Sequence, residues 1–304
     1  MIITLNGTTT SAINRELVRL RSESGVITLG RVMTLVVDST SCDEEPAIAA
    51  ANFASREHPC RIIVLARSSA EEDRLDAEIR VGGDAGAAEV VVLRPSGEMA
   101  VHTDTLVIPL VLPDAPIVAW WPGGISGAPA STAIGAMAAR RITDAKGASD
   151  VPALLVAFAE GYVPGDTDLA WARVTRWRAL LAAALEEAGS PRVTRARLHG
   201  DVGSPSILLL GAWLERALGC DFEASYDADA EGLRSVVLET PGGEISLVRT
   251  EGNDAVFSQP GHPEHVVPLP RRTLHDCLAE DLRRLDADEV YGETLVDLAR
   301  RLRA

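Results

Sequence analysis

A chain of 304 residues that is 46% apolar and 24% charged has material for two domains with substantial cores, and this composition excludes a disordered polymer. Its 44 acidic residues against 29 basic ones, a net charge of −15, weigh against nonspecific binding to nucleic-acid phosphates or an anionic membrane surface. The start MIITLNGTTT has no basic segment leading into an apolar one, and runs such as 207–210 are too short to span a bilayer, so the expected location is the cytoplasm.

In chain order, 11–21 reads as a short helix and 26–38 carries a buried strand ending at Asp38. Helical spacing returns over 43–56 through Ile48, Ala51, Phe53 and Ala54, and RIIVLA over 61–66 is a second apolar strand, which predicts a parallel crossover. Leu75, Ala77, Ile79 and Val81 then alternate with polar residues, and the turn at Gly82-Gly83 leads into VVVL at Val90, an antiparallel hairpin. The most apolar stretch is 105–124. Its first part is ambiguous because Pro109 and Pro113 interrupt helix and strand alike, and Ile117 to Trp121 is its clearer strand. Trp120 and Trp121 must point to opposite faces of that strand, so one of them is expected to look away from the main core. A short helix at 133–139, a strand at 140–143 and a helix at 152–160 complete the first half, and the boundary is placed at 161–165.

The stretch DTDLAWARVTRWRALLAAALEEAG, 166–189, reads as one helix. Asp166, Thr167 and Asp168 can accept from its first N–H groups, and Gly189 can adopt the left-handed stop. At 100° per residue Trp171, Val174, Trp177, Leu181, Leu185 and Ala188 share an arc, into which Arg178 projects beside Trp171. The plain reading is a core helix with a snorkelling arginine. The functional reading is a recognition surface, since Trp and Arg dominate binding hot spots and two of the chain's five Trp lie here. Trp177 belongs to the core in either case. Trp171, Arg173 and Arg178 are the candidates for partner contact, with Trp120 and Trp121 as further ones.

Beyond Gly189, 193–198 alternates, Ser204-Pro205 caps a helix to Leu218, and 222–226, 233–239, 245–250 and 255–258 form an antiparallel meander with turns at PGG and EGND. Two helices close the chain. The predicted fold is α/β to α+β in two domains: 1–163, an α/β domain with a mixed sheet, and 164–304, with the meander and packed helices.

The pattern contains no catalytic, cofactor or metal motif. A dinucleotide site would place a glycine-rich turn after the first strand, but here that turn is DSTSCDEEP, whose Asp43, Glu44 and Glu45 put negative charge where a pyrophosphate would sit. The four cysteines form no CxxC pair, and His262 and His265 lie among prolines rather than on a ligand-bearing helix. Cys60, between His58 and Arg61, is the redox candidate, because such neighbours can lower a thiol pKa; the plain reading is a small buried hydrophobe.

HPCRIIVL at His58, RLDAEIRVGG at Arg74, the PLVLPDAPIVAWWPG run from Pro109, RRITDA at Arg140, PGDTDLAWARVTRWRALLAAALE from Pro164 and DCLAEDLRRLDADEVY from Asp276 together resemble the actinobacterial OpcA family of glucose-6-phosphate dehydrogenase assembly proteins. The resemblance spans nearly the full length. It implies a noncatalytic cytoplasmic protein without a cofactor. Such a protein binds glucose-6-phosphate dehydrogenase, promotes its assembly or activity, and so supports NADPH supply through the oxidative pentose phosphate pathway. A sugar-phosphate or nucleotide sensor with arginines around a pocket is the alternative, and a thiol enzyme would require Cys60.

Overall fold

The computed structural model describes the chain except for residues 25–29 and 83–88 and the side chains of 23 and 24. The expected strand start at Val26 and the turn residue Gly83 lie outside the described residues. Two compact units are present, and they interleave along the chain. Met1–Asp144, Gly161–Thr167 and Leu274–Asp288 make up the first; Ala145–Glu160, Asp168–Thr273 and Glu289–Ala304 make up the second. The two sheets, one of eight strands and one of six, with helices in both units, give the mixed α/β architecture read from the sequence.

In the first unit β1 (Ile2–Leu5) and α1 (Thr10–Ser24) precede β2 (Met33–Asp38), α2 (Glu44–Ala54) and β3 (Cys60–Leu65). β2 and β3 run parallel, as the crossover required. β4 (Arg74–Arg80) and β5 (Glu89–Ser96) form the antiparallel pair, while β6 (Ile117–Trp121) and β7 (Arg140–Thr143) extend the parallel part on the other side of β2. With the short β8 (Asp166–Asp168) the order is β1-β4-β5-β3-β2-β6-β7-β8. β2 and β3 are buried at every position, which is why they read as continuous apolar runs and not as alternation.

The ambiguous stretch before β6 is α3 (Thr103–Val107) followed by a single tight turn at Ile108–Leu110, so the prolines end a helix there. Trp120 and Trp121 are both buried, at 0% and 4% exposure. Trp121 joins the hydrophobic cluster that holds Ala119 and Val36 and Trp120 does not, so the two rings take opposite faces as expected, but β6 lies between β2 and β7 with both faces covered and neither ring is exposed. α4 (Ala133–Met137) is capped by the Thr132 hydroxyl, and α9 (Leu274–Asp281) returns to α2, where the rings of Phe53 and His275 lie 5.3 Å apart.

Buried ion pairs tie the motif residues of this unit together. Arg61 meets Glu89 at 2.7 Å, and Arg31 reaches the same carboxylate at 3.0 Å. Arg140 pairs with Asp281 and donates to the Asp286 carbonyl. Arg141 pairs with Asp166, donates to the carbonyl of Ala138, and reaches that of Pro164 at 2.8 Å. Gly165, at φ +101°, makes this approach possible, since a Cβ there would lie 2.4 Å from the Ala139 carbonyl.

In the second unit the six-stranded sheet runs β10-β9-β11-β12-β13-β14. β9 (Arg195–Asp201) and β10 (Asp221–Asp227) are parallel and joined by α8 (Pro205–Leu218), a βαβ element that alternation alone presented as part of an antiparallel run. β11 (Leu233–Thr240), β12 (Gly243–Arg249), β13 (Asp254–Ser258) and β14 (His265–Pro268) form the meander. α5 (Val151–Glu160) and α10 (Glu289–Arg303) pack together and with α8.

The predicted helix over 166–189 is two helices, α6 (Leu169–Arg173) and α7 (Thr175–Glu187). Asp168 is the true N-cap and accepts from the Ala170 N–H at 2.8 Å. At the break the Val174 N–H turns back to the Trp171 carbonyl at 3.3 Å, a tight turn that shifts the angular register between the two tryptophans.

Candidate functional site

That shift buries both rings. Trp177 is 1% exposed and Trp171 3%, so Trp171 does not sit at an accessible edge as the uninterrupted helix implied. The Arg178 guanidinium lies 3.6 Å from the centroid of the Trp171 ring, and the Tyr291 ring lies 5.9 Å from it. Arg178 also donates to the Thr175 hydroxyl at 3.2 Å and remains half-buried, as does Arg173. The helix thus divides into buried tryptophans and two arginines that keep partial access to water.

Cys60 is fully buried, and burial pushes its thiol up to about 12, opposite to the lowering expected from His58 and Arg61. The cause is geometric: Arg61 follows Cys60 on β3, projects to the other face and is engaged by Glu89. Native protein should therefore leave Cys60 unalkylated by iodoacetamide for hours at pH 8, with full labelling in denaturant; peptide mapping of the labelled protein checks this. His262 and His265 do not converge on a site. His265 packs on Phe257, with ring centroids 4.9 Å apart, and among the described residues no three His, Cys, Asp or Glu side chains are grouped to hold a metal ion.

At the C-terminal ends of β2 and β6 the strand order reverses, which is where open α/β sheets bind ligands. Here the loops crowd together. A Cβ on Gly123 would lie 3.1 Å from Ser41 and Cys42, so the turn after β6 packs directly on the turn after β2. Asp38 accepts from the Thr40 hydroxyl at 2.6 Å and pairs with Arg67, and Asp43 caps α2, whose Glu44 and Glu45 pair with Arg94 and Arg80. A cavity of ≈ 390 Å³ remains beside Asp38, Arg67, Trp121 and Thr132. The acidic first turn read from the sequence is thus present at the helix start, with carboxylates in place of an anion cradle.

The second unit holds a cavity of different character, ≈ 340 Å³. It opens where β9 ends at Asp201 and the chain turns through Gly203 (φ +74°) into the N-terminus of α8. Ser204 makes no side-chain cap there. Around that helix end stand Arg173, Arg249, Arg271, Arg272 and Lys146, the only lysine in the chain, with Asp201 and Glu231 as the acidic members. Trp177 supplies an apolar wall. Sequence reasoning singled out Arg173 but missed the other cations, which come from separate parts of the chain. One signal was available: on β12, Ile245, Leu247 and Arg249 share the inward face, so the alternation predicts an arginine pointing where the apolar residues point.

Two family models match the chain. A family model described as the N-terminal domain of the glucose-6-phosphate dehydrogenase subunit matches residues 51–160, and a companion model, described as the C-terminal domain of the same, matches residues 164–295. No curated protein sequence matches the chain. Among solved structures, the chain is similar to the 3-ketoreductase KijD10 of Actinomadura kijaniata, at 10% identity and a TM-score of 0.51, covering 88% of this chain and 94% of that one. A glucose-6-phosphate 1-dehydrogenase from Mycobacterium avium gives 12% identity and a TM-score of 0.46 over 89% of this chain and 91% of that one. The reductase likeness is one of fold alone.

Proposed function

The chain belongs to the OpcA family of glucose-6-phosphate dehydrogenase assembly proteins, and from that premise we propose that it is a noncatalytic cytoplasmic partner that activates glucose-6-phosphate dehydrogenase. The observation that carries this reading is the pair of family matches, one in each half of the chain. The acidic, glycine-free turn after β2 supports it, because a reductase-like sheet with carboxylates at that helix start is poorly suited to hold a dinucleotide itself.

Activation needs no chemistry from the activator. A protein that binds the active conformation or oligomer of the enzyme better than the inactive one shifts the population by its differential affinity, and a tenfold shift takes about 1.4 kcal/mol. In the cell the result is greater NADPH supply from the oxidative pentose phosphate pathway. Arg178 and Arg173 are the proposed contact residues, with the buried Trp171 acting as the platform that fixes Arg178. Trp120 and Trp121, being buried, would act on the partner only through the shape of their unit.

The test is a titration of purified dehydrogenase with the chain, following turnover and sedimentation together. The enzyme's activity or assembled fraction should rise, and the chain alone should turn over no glucose 6-phosphate. Arg178→Ala should weaken binding by about 2 kcal/mol or more, the size of a hot spot, with the melting temperature within a few degrees of wild type. No binding by the wild-type chain, or activation by the variant at unchanged affinity, would sink the corresponding part of the reading.

A further inference from the structure

Arg249 is only 6% exposed, yet its guanidinium makes no hydrogen bond and no ion pair among the described residues. The Trp177 ring lies 5.3 Å from it. Burial, and then the Arg271 charge, depress its pKa to about 10, which still leaves it charged at neutral pH. The Glu231 charge offsets this only in part, and a buried guanidinium without a hydrogen bond is costly to the fold, since native proteins otherwise pair or hydrogen-bond such groups. Arg249 faces the cavity at the start of α8.

A second feature points to the same ligand. The β9-α8 turn places the first residues of a 14-residue helix, Pro205 and Ser206, on the cavity wall with no side-chain cap from Ser204, and β9 and β10 are parallel on either side of that helix. A helix N-terminus after a parallel strand favours anions through its free N–H groups and its dipole. Arg271, which lies 3.5 Å from the Glu231 carboxylate and donates to the Glu231 carbonyl, brings a second guanidinium to the rim. In a chain of net charge −15, five cations gathered around one cavity amount to a local reversal of the field.

We propose that the cavity between the α8 N-terminus and Arg249 binds a small phosphorylated metabolite, its phosphate completing Arg249 and its hydroxyl groups donating to Asp201 and Glu231. The volume, ≈ 340 Å³, matches a small-molecule ligand and is too small for a folded partner. This site shares Arg173 with the proposed dehydrogenase contact but rests on Arg249 and the α8 N-terminus, and it makes the chain a receiver of a metabolite signal.

The experiment is calorimetric titration of the isolated full chain with inorganic phosphate, pyrophosphate and glucose 6-phosphate, run beside matched amounts of sodium chloride. At least one phosphorylated probe should bind at one site per chain with submillimolar affinity, and Arg249→Met should lower that affinity at least tenfold. Arg249→Lys, which keeps the charge and loses the fork, should bind with intermediate affinity. Because the wild-type guanidinium is unpaired, Arg249→Met should melt at or above the wild-type temperature in the absence of ligand, and phosphate should raise the melting point of wild type only. Arg216→Ala, at the far end of α8, should bind as wild type does. The proposal is overturned by absence of binding from all three probes, by equal binding to Arg249→Met, or by a collapse of that variant's melting point, which would make Arg249 a structural residue. All of these measurements omit the dehydrogenase, so their outcome is separate from that of the partner reading.

Discussion

Trp177→Ala is expected to destabilise the second unit by about 3–5 kcal/mol, the cost of deleting a fully enclosed aromatic side chain and leaving the void behind. The ring is 1% exposed and belongs to α7, whose other buried positions are Leu181 and Ala184. Because the ring also walls the cation-lined cavity, its removal would enlarge that space beside Arg249. Urea unfolding followed by circular dichroism should show a lower midpoint at similar slope, and a thermal melt should fall by on the order of 10 °C. Trp177→Phe should recover more than half of the loss. A change below about 1 kcal/mol in the alanine variant would mean that the helix is not core, contrary to its burial.

Arg141→Ala is the second large effect, again about 3–5 kcal/mol, and its mechanism is charge rather than volume. Asp166 is 5% exposed, and one of its oxygens already accepts from the Val163 N–H at 2.9 Å. Removing the guanidinium leaves the other oxygen as buried uncompensated charge and deprives the Ala138 and Pro164 carbonyls of their donor. Asp166→Asn should cost less, since an amide can keep the Val163 contact without a charge. Combining Arg141→Met with Asp166→Leu should restore a measurable part of the lost stability, because removing both charges abolishes the desolvation penalty. Full additivity of the two single changes in that double variant would argue that the pair is not coupled.

These two residues also show where the sequence was legible. Trp177 was readable as core because helical periodicity reports burial directly, and the parallel strands β2 and β3 were readable because strands covered on both faces are apolar at every position. Arg141 was visible only as part of a motif. Its partner lies twenty-five positions on, and a single pair between two strands so far apart in the chain leaves no periodic trace. The edge strands β1 and β14 were missed for a related reason: they are short and partly exposed, so no buried apolar face marks them. The break at Val174 was hidden because neither proline nor glycine marks it, and the tight turn at Trp171 depends on what the ring packs against. The cation cavity required the tertiary fold, although the inward register of Arg249 on β12 was written in the alternation.

The interleaving of the two units bears on how the chain can be made. The first unit takes in Leu274–Asp288, where His275 stacks beside Phe53, Arg283 meets Glu57 at 3.1 Å and Asp281 neutralises Arg140. On a ribosome adding about 5–20 residues each second, Arg140 would have to wait roughly 7–28 seconds for its counter-charge to be synthesised. The nascent sheet spends that interval with an unmatched guanidinium and with the α2 surface uncovered. Gene fission near the middle of the chain would leave the N-terminal half without Leu274–Asp288, so that half would encode only part of the first unit. Completion of the first unit is thereby tied to the last part of synthesis.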